Sequence, residues 1–142
     1  MRKIMIVDDN YLSAEGIEKN IDWEVLNAEI VHICYNGTSA IDAMKKEPVD
    51  LIISDIEMPD LDGISMSRQA LDINPMVKII LISAYDKFEY ARRALLLGAL
   101  DYIEKPLDYA YLIQKVKNAF ALMEREQKNL QLLKQSRPLL IE

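Results

Sequence analysis

The stretch Asp50–Gly63, DLIISDIEMPDLDG, sets an unbroken apolar run against a cluster of acids and turn formers. Leu51–Ser54 shows no period-2 alternation, as a strand buried on both faces of a parallel sheet requires. The run stops at Asp55, and Met58-Pro59 and Asp62-Gly63 then turn the chain into a loop. Similar runs recur at Ile4–Val7, Ile30–Cys34, Ile79–Ser83 and Tyr102–Glu104. Segments with helical spacing separate them. Leu12, Ile17 and Ile21 mark the first, Ala40, Ile41 and Met44 the second, and Ile64, Met66 and Leu71 the third. Ala91, Ala94 and Leu95 mark the fourth, and Leu112, Val116 and Phe120 the fifth. Strand–helix alternation of this kind predicts a doubly wound α/β fold.

The punctuation agrees. Asn36-Gly37 opens the second helix with a capping residue, a role Thr38 or Ser39 can share. Asn74-Pro75 closes the third helix, because the ring of Pro75 disfavours helical geometry before it. Gly98 follows a Leu-rich helix end and suits a left-handed C′ position. From about Asp108 the helical spacing runs on without Gly or Pro until Pro138, through Ile113, Val116, Phe120, Met123, Gln127 and Leu130. About 26 helical residues span roughly 39 Å, more than a small domain needs to close its fold. The polar stretch EREQKN at 124–129 is expected to project into solvent. Residues 1–122 are therefore expected to form the domain, and 123–142 a helical linker toward a further C-terminal domain.

Bulk composition narrows the function. The 142 residues are 51% apolar and 28% charged, which suits one compact domain. A net charge of −6 lacks the basic stripe that nucleic-acid binding needs, and is compatible with a bound cation. No run of about 20 apolar residues is present, so no membrane span is expected. The N-terminus meets Asp8 after only four apolar residues, too few for a signal-peptide core. Cys34 stands alone and reads as a small buried apolar residue, so no disulfide is expected and the cytoplasm is the natural compartment. His32 lies on the second strand and reads as a packed or edge residue, with no thiolate partner for a metal site.

The chemistry converges on one edge. In a doubly wound sheet, ligand sites form outside the carboxyl ends of the strands. Strand one ends in Asp8-Asp9, strand three in Asp55, strand four in Ser83-Ala84 and strand five in Lys105-Pro106. Clustered carboxylates repel unless a cation neutralises them, so Asp8, Asp9 and Asp55 predict a hard, oxygen-seeking metal, and Mg²⁺ fits. Asp55, on the central strand, is the candidate nucleophile, since carboxylates form acyl phosphates. Lys105 suits pairing with phosphoryl oxygens, and the Ser83 hydroxyl suits a hydrogen bond to one of them. Singly, Asp9 reads as a helix cap, Ser83 as a turn residue and Lys105 as a surface charge. Together they make a phosphoryl-transfer site.

The segments IMIVDDN (4–10), DLIISDIEMPDLDG (50–63), IILISAYD (79–86) and GALDYIEKP (98–106) resemble the signature segments of bacterial response-regulator receiver domains. The resemblance covers about residues 3 to 122. It implies a five-stranded parallel sheet in the flavodoxin-like order 2-1-3-4-5, with five helices on both faces and the last extended. It implies that Asp55 is the phosphoacceptor for a sensor histidine kinase, that Asp9 binds Mg²⁺ directly, Asp8 largely through water, and Glu57 through its backbone carbonyl. Ser83 and Tyr102 resemble the switch pair, and Lys105-Pro106 the lysine and proline that join through a cis peptide bond. Met58-Pro59 and Asp62-Gly63 match the loop after the acceptor, with Gly63 permitting a tight turn. Glu57 and Tyr85 occupy positions expected to tune the lifetime of the phosphoryl group. Asp22-Trp23, with ISAYDKFEYARRA (82–94), is similar to receivers joined to AraC-type DNA-binding domains, although Trp23 alone reads as a packing residue.

The resemblance also implies a cytoplasmic signalling switch that controls transcription, touching DNA only through its output domain. Homodimerisation is expected through the face of helix four, strand five and helix five, or through the C-terminal helix. Two competitors are weaker. An aspartyl phosphatase wants a second acid two residues after the nucleophile, where Glu57 sits, but these short loops leave no substrate pocket or cap domain. A phosphorylation-independent scaffold has no use for the intact acidic set and Lys105. A flavin cradle is excluded because the loop after strand one is Asp-Asp-Asn.

Overall fold

The computed structural model describes the backbone of residues 1–84, 88–96, 98–99 and 101–141, and side chains apart from 88, 90, 91, 94 and 136–141. Five strands, β1 (Arg2–Val7), β2 (Ala28–Cys34), β3 (Leu51–Asp55), β4 (Lys78–Ser83) and β5 (Asp101–Glu104), alternate with five helices. The helices are α1 (Tyr11–Asn20), α2 (Gly37–Lys46), α3 (Gly63–Ile73), α4 (Phe88–Leu96) and α5 (Tyr109–Ile141). All strand pairs are parallel, in the order β2-β1-β3-β4-β5. The doubly wound α/β fold expected from the alternation is present.

Each strand feeds both faces of the sheet. Met5 and Val7 of β1, Ile52 of β3 and Ile79 and Leu81 of β4 join α2 and α3 in one core. Ile4, Ile6, Leu51, Ile53, Ile80 and Ile82 join α1 and α5 in the other. This two-sided burial explains the continuous apolar runs. It also leaves β1 and β3 in the middle of the sheet, with their carboxyl ends side by side.

Most capping expectations hold. Asn36 accepts from the Ser39 amide at 2.8 Å, Asn74 caps α3, and Gly98 takes a φ of +103° with its N–H on the Leu95 carbonyl. Cys34 is buried and free, and Trp23 packs into the α1/α5 core with its indole N–H 3.4 Å from the Ile17 carbonyl. His32 hydrogen-bonds the Glu47 carbonyl at 2.9 Å, well away from the acidic edge.

Four expectations need correction, one of them Leu95, a marker of the fourth helix that is 52% exposed. Leu12 is 78% exposed, and the inward stripe of α1 runs through Ala14 and Ile17 to Ile21 instead. Five residues separate Leu12 from Ile17, a rotation that puts them on different faces. Gly63 has no positive φ; it is glycine because a Cβ there would lie 2.3 Å from the Asp55 carbonyl oxygen. Finally, α5 continues past Pro138 to Ile141, because a proline removes one helical hydrogen bond without having to end the helix. The fourth-helix markers Ala91 and Ala94, and Tyr85, lie outside the described side chains.

Leu112, Val116 and Ala119 of α5 are fully buried against the sheet, and Met123 is 5% exposed. Glu126 then meets Lys78, at the amino end of β4, at 2.7 Å. Beyond it, Leu130 and Leu132 are exposed. Among the described residues no helix is long and apolar enough to cross a membrane.

Candidate functional site

The carboxyl ends of β1 and β3 bring Asp8, Asp9 and Asp55 together, with one carboxylate oxygen of each within 4.8 Å of the others. Asp8 and Asp55 are buried, whereas Asp9 is exposed. Local structure separates their duties. The α1 cap is Asn10, whose side chain accepts from the Leu12 and Ser13 amides, so Asp9 is free of the capping role. Asp8 accepts from the Asn10 amide at 2.9 Å, which fixes its carboxylate toward β3.

Lys105 reaches into this set from the end of β5. Its Nζ lies 3.4 Å from Asp55 and 3.5 Å from Asp8. The Lys105–Pro106 peptide bond is cis, and the Lys105 amide donates to the Ser83 carbonyl at 2.7 Å. Ser83 is fully buried at the end of β4, where its Oγ has no hydrogen-bond partner among the described residues. The Tyr102 hydroxyl, on β5, is likewise buried and unpaired. Its ring packs on the α2/α3 core.

The electrostatics are those of a site short of positive charge. Burial, then the Asp8 charge, pushes the Asp55 carboxyl up to about 6, against the opposing pull of Lys105. Burial also raises Asp8, opposed by its hydrogen bond from Asn10 and by Lys105. Burial tends to lower Lys105, but the Asp55 and Asp8 charges outweigh it and hold the ammonium above its ordinary value. One ammonium does not neutralise three carboxylates. The donor set is all oxygen, buried on two of its three members, and opens into a cleft of about 480 Å³ beside Glu57 and Met58. Such a set fits a hard divalent cation.

The loop from β3 to α3 closes the site. Asp62 caps α3 through the Ser65 amide at 2.8 Å, and the Gly63 amide donates to the Ile56 carbonyl at 2.7 Å. Asp60, which sequence reasoning did not single out, accepts from the Gly37 and Thr38 amides of α2 at 3.2 and 3.1 Å. No local pattern reveals this, since its partners lie more than twenty residues upstream. The hydrogen bonds to Thr38, together with the backbone amides, hold its carboxyl down to about 2.

Residues 4–117 match the family described as the response regulator receiver domain. This chain belongs to that family. Among solved structures, the REC domain of AraT, a response regulator from Geobacillus stearothermophilus, is 34% identical with a TM-score of 0.84, covering 89% of this chain and 98% of that one. A two component transcriptional regulator AraC from Clostridium phytofermentans ISDg is 30% identical with a TM-score of 0.80, covering 91% and 99%. The transcriptional regulatory protein YesN of Bacillus subtilis is 29% identical over 126 residues. The receiver domain described here covers 89% of its own chain in that match and about a third, 34%, of YesN.

Proposed function

We propose that this receiver domain takes a phosphoryl group onto Asp55 from the phosphohistidine of a sensor kinase, with Mg²⁺ held by Asp8, Asp9, Asp55 and the Glu57 carbonyl. The observation that carries this is the convergence of three carboxylates with the Lys105 ammonium at one strand edge. Bound Mg²⁺ would supply charge neutralisation among the carboxylates and at the phosphoryl oxygens. An Asp55 carboxylate oxygen attacks phosphorus as the donor's P–N bond breaks, and the electron pair of that bond stays on the leaving imidazole. Lys105 pairs with a phosphoryl oxygen as charge shifts from donor to acceptor. Burial keeps bulk water from the acyl phosphate that forms on Asp55.

Ser83 and Tyr102 then report the change. The Ser83 hydroxyl, buried and without a hydrogen-bond partner among the described residues, gains one when it turns to a phosphoryl oxygen, and Tyr102 fills the space beside it. Phosphorylation shifts an equilibrium between two arrangements of the α4–β5–α5 face rather than creating a new one. Residues 123–142 form the helical extension toward an output domain, and the length of YesN supports a further domain. The names of YesN, a transcriptional regulatory protein, and of the Clostridium phytofermentans transcriptional regulator support transcription as the output. The domain acts in the cytoplasm, catalyses only its own phosphorylation and dephosphorylation, and pairs with a second copy through the α4–β5–α5 face or α5.

The test is labelling by a small phosphodonor with Mg²⁺, read by intact mass. The wild type is expected to gain one phosphoryl group and Asp55→Asn none. Undiminished labelling of Asp55→Asn removes Asp55 from the role.

A further inference from the structure

We infer that Asp60 is a positioning residue, a tether that ties the β3–α3 loop to the first turn of α2 and so holds the Glu57 carbonyl at the metal site. The inference rests on the proposed Mg²⁺ site. Its basis is the way this loop is fixed at its far end and at its middle. At the far end, Gly63 packs so close to β3 that a Cβ would lie 2.3 Å from the Asp55 carbonyl oxygen, and its amide bonds Ile56. At the middle, both Asp60 carboxylate oxygens accept α2 amides, one from Gly37 and one from Thr38.

Gly37 makes that contact possible. A Cβ on Gly37 would stand 2.3 Å from the Leu61 carbonyl oxygen and 2.7 Å from the Leu61 Cβ. The loop backbone and the α2 backbone therefore meet directly, with no side chain between them. The first amides of α2 have no intrahelical acceptor, and Asp60 supplies one from another part of the chain. The α2 terminus already has its own cap in Asn36, which takes the Ser39 amide. Asp60 is thus additional to helix capping, and what it adds is a fixed position for the loop.

Glu57 lies inside the tethered span, between Asp55 and Asp60. The position of the Glu57 carbonyl follows that of the loop backbone, which these contacts pin. Partners one step removed from a metal ligand typically change affinity on the order of tenfold when removed.

Mg²⁺ titration by calorimetry, on the wild type and three variants of the whole chain, tests the tether. Asp60→Ala is expected to weaken Mg²⁺ binding on the order of tenfold. Asp60→Asn, which keeps one acceptor oxygen and puts an NH2 donor in place of the other, is expected to fall between wild type and Asp60→Ala. Asn36→Ala, which weakens the same helix end without freeing the loop, is expected to bind like wild type. In EDTA, amide exchange across 57–61 should rise in Asp60→Ala alone. Three results overturn the inference: Asp60→Ala within about twofold of wild type, Asp60→Asn as weak as Asp60→Ala, or Asn36→Ala equally weak. A wild type that binds no Mg²⁺ overturns the proposed metal site and the tether's purpose together, whereas an effect missing only in Asp60→Ala leaves that site standing.

Discussion

Asp55 is held as a poor acid by burial and by Asp8, with its pKa raised from 3.8 to about 6. The folded chain binds this proton more tightly than the unfolded chain. The contribution of Asp55 to stability therefore falls as pH rises from about 4 to about 6, and stays reduced above that. At about 1.4 kcal/mol per pKa unit, the cost of ionised Asp55 at neutral pH is on the order of 3 kcal/mol. In EDTA at pH 7.5, Asp55→Asn should resist urea better than wild type by about 1–3 kcal/mol, with the gain gone near pH 4. Equal midpoints at pH 7.5 would show that Lys105 already offsets the charge. Added Mg²⁺ should close the gap by stabilising the wild type alone. The acidic cluster was legible in the sequence because a strand end places its residue at the sheet edge whatever the rest of the fold does. Asp60 was not, because only tertiary packing brings it to Gly37 and Thr38.

At the scale of elements, the strands could be read closely and the helix faces less so. Apolar runs buried on both faces need no phase, whereas a helical stripe must be assigned a direction. Leu12 and Ile17 show the difference. Ile17→Ala should cost about 2–4 kcal/mol in denaturant unfolding, since Ile17 is 1% exposed in the α1/α5 core. Leu12→Ser should stay within about 0.5 kcal/mol of wild type. A large loss for Leu12→Ser would restore it to the core. Asn36→Ala should lower stability by about 1 kcal/mol, the usual cost of losing an N-cap. The α1 cap was harder to read, because Asp9 and Asn10 are both capping types and only the structure shows that Asn10 takes the Leu12 and Ser13 amides.

For the whole molecule, the long helix divides into a first half packed on the sheet and a second half whose leucines at 130 and 132 are exposed. Met123 is buried and Glu126 pairs with Lys78, whose side chain is only 14% exposed. A chain ended after Leu130 should melt as the full chain does, to within about 0.5 kcal/mol. A chain ended after Phe120 loses Met123 and leaves Lys78 unpaired, and should lose on the order of 2–5 kcal/mol. Thermal melts of the two truncations decide this. Equal melting of both would mean that the second half of α5 contributes nothing to the body. The sequence showed the stripe through Phe120 and Met123 and led us to expect 124–129 to project into solvent, whereas contact reaches Glu126, because where it stops depends on how far the sheet extends beneath the helix.

The direction of α5 has a steric consequence. It starts just after Lys105-Pro106, beside the acidic edge, and runs back along the sheet to reach Lys78 at the opposite end of β4. Six strand residues set those two ends about 20 Å apart. Whatever chain continues from α5 is thus delivered on the side of the domain turned away from Asp55. The acidic edge is left clear of the far end of α5, and access to Asp55 does not require that end to move.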